Sequence, residues 1–362
     1  MVSKILGDSL STRENNFDFI RLVAAVAVIF SHSYDLTSNY FDEPLRLISN
    51  NENSIGEMAV AIFFVTSGFL ITQSYQRTSG TFKYFYSRVL RIYPGLICVI
   101  LFTVFILGPV LTSISFYEYF LNIKTIKYLF NLTSLKISFQ LPGVFTHNPY
   151  PMDAVNGSLW SLPYELLCYI MVALIGSFIK RRYLLVFLFT MISLLFLALM
   201  TPSKVLVNGM YFLCGAIVFI YRFKFTLDLR LVAILVLILI VNLGYNPSNV
   251  LKSVIGGLCL TYIIMFLAVI KSEFLNNFSR YGDYSYGLYV WAFPIQQLIQ
   301  SYYHLGHFQN FLISSVITFF AAFLSWHYIE KRFLRLKANP VFITSFSNIK
   351  SDLFTKKIEK AV

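Results

Sequence analysis

Six ionisable residues stand in or beside segments so apolar that burying them needs a reason. In the run FDFIRLVAAVAVIFSHSY, ten residues separate Arg21 from His32. Eleven residues of helix turn through about three turns plus 20° and rise about 16 Å, so both side chains share one face at different depths. An imidazole suits proton transfer near neutral pH, and a guanidinium is a permanent cation shaped for carboxylate or phosphate. Asp18, three residues before Arg21, is within ion-pair reach of it. A second run, NGSLWSLPYELLCY, carries Glu165 about two turns inside an apolar segment, with no basic residue at i±3 or i±4. Counted from the outer ends of their segments, His32 and Glu165 lie at similar depths, and a carboxylate beside an imidazole fixes its tautomer and raises its basicity. In YFYSRVLRIYPG, Arg88 and Arg91 occupy one helical face just before Pro94, and two guanidiniums there suit phosphate. Each residue also has a plainer reading. The arginines fit boundary anchors, His32 an interhelical hydrogen-bonding residue, Trp160 an interfacial aromatic, and Thr66, Ser67 and Gly68 close helix packing.

The elements that must position these residues are membrane helices. Of 362 residues, 57% are hydrophobic and 13% charged, and the mean hydropathy is +0.67. A soluble domain carries about 25% charged residues, so that class is excluded. Apolar runs long enough to span a bilayer recur ten times, at about 17–36, 56–76, 91–112, 158–179, 183–200, 205–222, 229–245, 250–270, 284–301 and 309–329. With residue 1 on the cytoplasmic side, 22 of the 29 Lys and Arg fall in inner segments and 6 in outer ones. The bias predicts that both termini and the 180–182 Lys-Arg-Arg cluster face inward. The net charge of +12 is thereby a membrane signal, and no recognisable nucleic-acid module accompanies it. The first apolar stretch lacks a small-residue cleavage site and reads as a retained span. Cys98, Cys168, Cys214 and Cys259 all lie in apolar runs without close spacing. They read as buried thiols, with neither a disulfide framework nor a metal site. A long outer loop at 113–157 holds Tyr117, Tyr119, His147, Tyr150 and Asp153, material for ligand contact or for a plain connector. The expected organisation is a transmembrane domain over 1–337 and a basic cytoplasmic tail over 338–362.

Taken in order, five motifs resemble the acyltransferase family 3 membrane proteins, which include bacterial O-acetyltransferases of surface polysaccharides. They are Arg21 to His32; FFVTSGFLI; Arg88-x-x-Arg91 followed by IYP; GSLWSLPYE; and SYGLYVWAFPI followed by YIEKRF. They spread over roughly 17–333. Ala292 stands where the family often has a histidine, and Arg332 where a proline often follows Glu-Lys. The resemblance implies an all-α fold of about ten transmembrane helices around a central cavity, and transfer of an acyl group, usually acetyl, from cytoplasmic acyl-CoA to a sugar hydroxyl. It points to His32 as catalytic, Glu165 as a further essential acid, and Arg21, Arg88 and Arg91 as contributors to donor binding. Trp160 and Ser158 are the expected acceptor contacts. The implied partners are acyl-CoA as a donor substrate, a lipid-linked or surface glycan and membrane lipids, with no permanently bound cofactor and no nucleic acid. Two rival readings remain at this stage: a transporter or flippase for a lipid-linked sugar, and a polymerase-type glycosyltransferase. Neither rival needs a thioester donor.

Overall fold

A computed structural model describes residues 4–10, 15–150, 153–178, 183–200, 203–244, 249–276, 278–280 and 282–337. The Lys180–Arg182 cluster and the 338–362 tail lie outside the described residues. The fold is all-α, apart from a two-residue antiparallel ribbon of Lys4–Ile5 with Thr226–Leu227. The long helices are α1 (Phe17–Leu36), α2 (Ile55–Arg77), α3 (Thr81–Phe102), α4 (Leu162–Phe178), α5 (Tyr183–Met200), α6 (Lys204–Ile220), α7 (Leu229–Gly244), α8 (Asn249–Ala268), α9 (Ser285–Tyr303) and α10 (His307–Leu324). Among the described residues, six helical stretches are long and apolar enough to cross a membrane: α1, α2, α3 with its continuation to Leu111, the Gly157–Ser177 stretch, α8 from Leu251, and α10 with its continuation to Leu336. The Val186–Leu195 stretch, α6 and α7 are shorter apolar helices.

Large apolar side chains cover the outside, as a lipid solvent requires. On α7, Ile234, Leu237, Ile240 and Val241 are all more than half exposed, while Asn242 is buried. Helix ends converge in two groups. Asn16, before α1, donates its side-chain amide to the carbonyls of Leu267 and Ile270 at the C-terminal end of α8, and the ribbon ties the N-terminal segment to the turn after α6. At the opposite end, Asp35 of α1 pairs with Arg46, Glu57 of α2 with Lys204 of α6, and Glu52 with Lys252 of α8. Helix α2 starts at a capping box, in which Ser54 Oγ accepts from the Glu57 amide and Glu57 accepts from the Ser54 amide.

The closest helix pair is α2 with α6. A Cβ on Gly68 would overlap the Phe212 carbonyl oxygen, and one on Gly215 the Val65 carbonyl oxygen, so small residues let the two backbones touch. Gly68→Val or Gly215→Val must push the helices apart, at about 1–3 kcal/mol by the usual cost of overpacking. The thermal unfolding midpoint of detergent-solubilised protein should fall for both and stay unchanged for Gly244→Ala, where nothing lies within 4 Å. An unshifted midpoint for Gly68→Val would show the contact to be dispensable.

The 113–157 loop is folded, not a plain connector. Two short helices, Phe116–Leu121 and Ile123–Leu129, bury Tyr119 and Tyr128 completely. Its later part is tied to α9, where Asn156 Nδ2 donates to the Val290 carbonyl at 2.9 Å and Asn148 Nδ2 to Gln297 Oε1 at 2.7 Å. Polar side chains lie inside α9 as well. Gln296, Gln297 and Gln300 are buried, and Gln296 Nε2 donates to the Ile29 carbonyl of α1 at 2.9 Å.

Candidate active site

A cavity of about 890 Å³ opens where the C-terminal end of α1 meets the N-terminal ends of α2, α6 and α8. His32 lines it with Tyr150, Trp160, Tyr289 and Phe293. The imidazole meets the Phe293 ring edge-on at 5.2 Å, and Phe293 meets Tyr150 in the same way at 5.3 Å. His32 Nδ1 is buried and has no hydrogen-bond partner among the described residues. Of the loop tyrosines 117, 119 and 150, Tyr150 alone reaches this cavity. Burial and the nearby Asp35 carboxylate push its phenol above the ordinary tyrosine range, so the hydroxyl stays protonated at neutral pH.

A second, smaller pocket of about 50 Å³ is lined by Arg21, Ser67, Ser161, Glu165, Ser285 and Tyr286, among others. Val60 and Tyr289 line both spaces, so they form the partition between them. Tyr289 is pinned there by a 2.8 Å hydrogen bond between its hydroxyl and Ser161 Oγ. Arg21 Nε is buried without a partner among the described residues, and its guanidinium sits 6.0 Å from the Phe63 ring centroid.

Below this pocket the charges converge on a residue to which the sequence reading assigned no role. Asp283, just before α9, receives Arg21 Nη1 at 3.3 Å and Arg91 Nη2 on the same Oδ2 atom. Its Oδ1 accepts from Ser285 Oγ at 2.6 Å. One carboxylate thus joins α1, α3 and α9. The expected pairing of Arg21 with Asp18 gives way to this long-range one. Arg88 turns elsewhere and donates to Ser74 Oγ of α2 at 3.1 Å, so the two arginines of the motif share no side-chain partner among the described residues. Glu330, at the end of the widened turn after α10, is buried and accepts from Ser325 Oγ at 2.8 Å, and its Oε2 has no partner among the described residues.

Two expectations are revised. Glu165 accepts a hydrogen bond from the Tyr169 hydroxyl and faces the Arg21 pocket, so the carboxylate–imidazole pair with His32 does not form. The segment Gly157–Ser161 is a 3₁₀ helix, rising about 2.0 Å per residue where an α-helix rises 1.5 Å, and this carries Glu165 deeper than an α-helical count allows. Ser158 is the other. Gly157 and Trp160 line the cavity and Ser158 does not; its Oγ is buried without a partner among the described residues while its amide donates to Asn156 Oδ1 at 3.2 Å.

Comparison with known sequences gives the class to which this multi-helix apolar bundle belongs. The profile of the family described as acyltransferase domain matches residues 14–330, and the chain belongs to that family: it is a membrane O-acyltransferase. It is 29% identical over 335 residues to an O-acetyl transferase of Shigella phage Sf6, covering 89% of this chain and 96% of that one. It is also 32% identical over 181 residues to nodulation protein 10 of Rhizobium leguminosarum bv. viciae, covering 47% of this chain and 46% of that relative. No solved structure matches the chain.

Proposed function

We propose that this chain moves an acetyl group from cytoplasmic acetyl-CoA to a hydroxyl of a cell-surface glycan, such as the O-antigen of lipopolysaccharide. In this reading it sits in a bacterial inner membrane with both termini cytoplasmic, and all ten long helices cross the bilayer around a central cavity. The carrying observation is the stacking of two spaces through one partition: the Arg21–Asp283–Arg91 cluster and its pocket on one side, His32 and its cavity on the other, with Tyr289 and Val60 between. The pairing of residues 4–5 with 226–227 supports a shared side for two of the basic segments assigned to the cytoplasm.

The chemistry follows from the positions. The donor's phosphates take up Arg91, Arg21 and Arg88 as charge-assisted partners, competing with Asp283 for the first two. The pantetheine arm passes Tyr289 and brings the thioester to His32. The imidazole accepts the proton of the sugar hydroxyl as its oxygen forms a bond to the acetyl carbon. The carbon–sulfur bond breaks, and the thiolate of CoA leaves and is then protonated. Glu165, beside Tyr169, acts on the donor side and not on the imidazole.

Membranes containing the protein should transfer radiolabelled acetyl from acetyl-CoA to glycan as an alkali-labile ester. In the same assay Arg91→Ala should raise the acetyl-CoA requirement about 10- to 100-fold, the 1.5–3 kcal/mol worth of a charged hydrogen bond, and Arg88→Ala should raise it too, with little change in the acceptor requirement. Absence of labelled ester would sink the reading, and unchanged acetyl-CoA affinity in Arg88→Ala/Arg91→Ala would reduce those arginines to membrane anchors.

A further inference from the structure

We infer that the cavity beside His32 is built for an uncharged sugar, so that the acyl acceptor is a neutral hexose or deoxyhexose unit and not a uronic acid or a phosphorylated sugar. This rests on the acyl-transfer reading for the chemistry performed there. The ligand class comes from the charges of the wall.

Among the described residues, six charged side chains line the cavity, three acidic and three basic, and they are matched one to one. Arg46 Nη1 meets Asp35 Oδ1 at 2.7 Å, with its guanidinium 3.5 Å from the Tyr40 ring centroid. Lys252 Nζ meets Glu52 Oε2 at 2.6 Å and also donates to the Leu243 carbonyl at 3.2 Å. Lys204 is paired with Glu57 at the rim. The Arg46 and Lys252 side chains are only 7% and 6% exposed, so neither cation is held in reserve for an incoming anion.

A carboxylate or phosphate entering the inner part of this space has to take Arg46 or Lys252 from its partner and leave a carboxylate unpaired in a partly dry wall, which is strongly unfavourable; Lys204, 72% exposed at the rim, is screened by solvent and gives an anion little. A neutral sugar faces no such exchange. Each hydroxyl both donates and accepts, so it can give its proton toward Asp35, Glu52 or Glu57 while accepting from the paired cation. Trp160, Tyr150 and Phe293 supply the apolar surface that the carbon face of a pyranose needs. A volume of about 890 Å³ lies within the 300–1,000 Å³ typical of small-molecule sites.

The test is saturation-transfer NMR on the detergent-purified full chain at neutral pH, with methyl β-glucoside and methyl β-glucuronide as matched probes. The glucoside should give a signal at least ten times that of the glucuronide. Glu52→Gln frees the charge of Lys252 and should raise the glucuronide signal several-fold; Glu52→Gln/Lys252→Gln should return the original preference. If Glu52→Gln does not accumulate, Glu57→Gln makes the same test against Lys204, because glutamine preserves the capping box. Equal or stronger glucuronide binding to the unaltered protein, a ratio unmoved by either substitution, or no signal from either sugar would overturn the inference. Acetyl transfer measured on the same samples separates the two claims. Transfer without the preference removes only the neutral-sugar assignment, and the preference without transfer removes only the acyl-transfer reading.

Discussion

His32→Ala and His32→Gln proteins insert and accumulate at the unaltered level yet lose acetyl transfer. The expected drop is about 10²–10⁴-fold, the usual contribution of a general base. The structure separates this outcome from a packing role. The ring lines an existing cavity and its Nδ1 has no partner, so truncation leaves no orphaned hydrogen-bonding group on Nδ1's account. Even an average interhelical hydrogen bond in a membrane is worth only about 0.6 kcal/mol. Transfer activity in membranes and immunodetected protein level are the two readouts. Undiminished transfer by a well-expressed His32→Ala protein would remove the catalytic assignment, and a variant that failed to accumulate would make the histidine structural.

Removing the carboxylate of Asp283 should cost stability and activity together. Arg21, Arg91 and Asp283 are each less than 20% exposed, and breaking such a pair strands a charge, at about 3–5 kcal/mol. Here one change strands two. Asp283→Asn is therefore expected to lower the thermal unfolding midpoint in detergent by more than any single-arginine substitution. Adding Arg21→Gln and Arg91→Gln should restore part of the midpoint without restoring acetyl transfer, because the triple variant leaves no stranded guanidinium but has lost the donor's phosphate partners. A midpoint for Asp283→Asn equal to that of the unaltered protein would show that the cluster is held by solvent and not by this carboxylate.

Several of these residues were visible as anomalies in the linear chain. Arg21, His32 and Glu165 interrupt apolar runs, and an ionisable group in a span demands a partner or a cavity. The small residues of FFVTSGFLI marked close packing, and Gly68 does meet α6; Ser67, grouped with it, lines the Arg21 pocket instead. Asp283 escaped because it sits just outside the ninth apolar run, where a flanking acid looks ordinary. The available signal was an acidic residue at a boundary otherwise populated by bases. Glu330 was quoted within a motif but given no role, and the buried glutamines of α9 were hidden because amides barely lower the hydropathy of a span.

By itself the sequence determined the solvent, the helical class and the family. Each depends on sums or spacings along the chain: total apolar content, runs near the thickness of a bilayer, the partition of Lys and Arg between loops, and five motifs in order. Only the tertiary structure decided who meets whom. It set Arg21 against Asp283, 262 positions away, turned Arg88 to Ser74 and not to Arg91's partner, turned Glu165 to Tyr169 and not to His32, and matched three cations to three carboxylates around the cavity. The physical reason is that depth and facing within one helix follow from its pitch, whereas contacts between helices depend on rotation and on offsets of an ångström or two. Those offsets come from packing such as Gly68 against Phe212, which no single segment encodes.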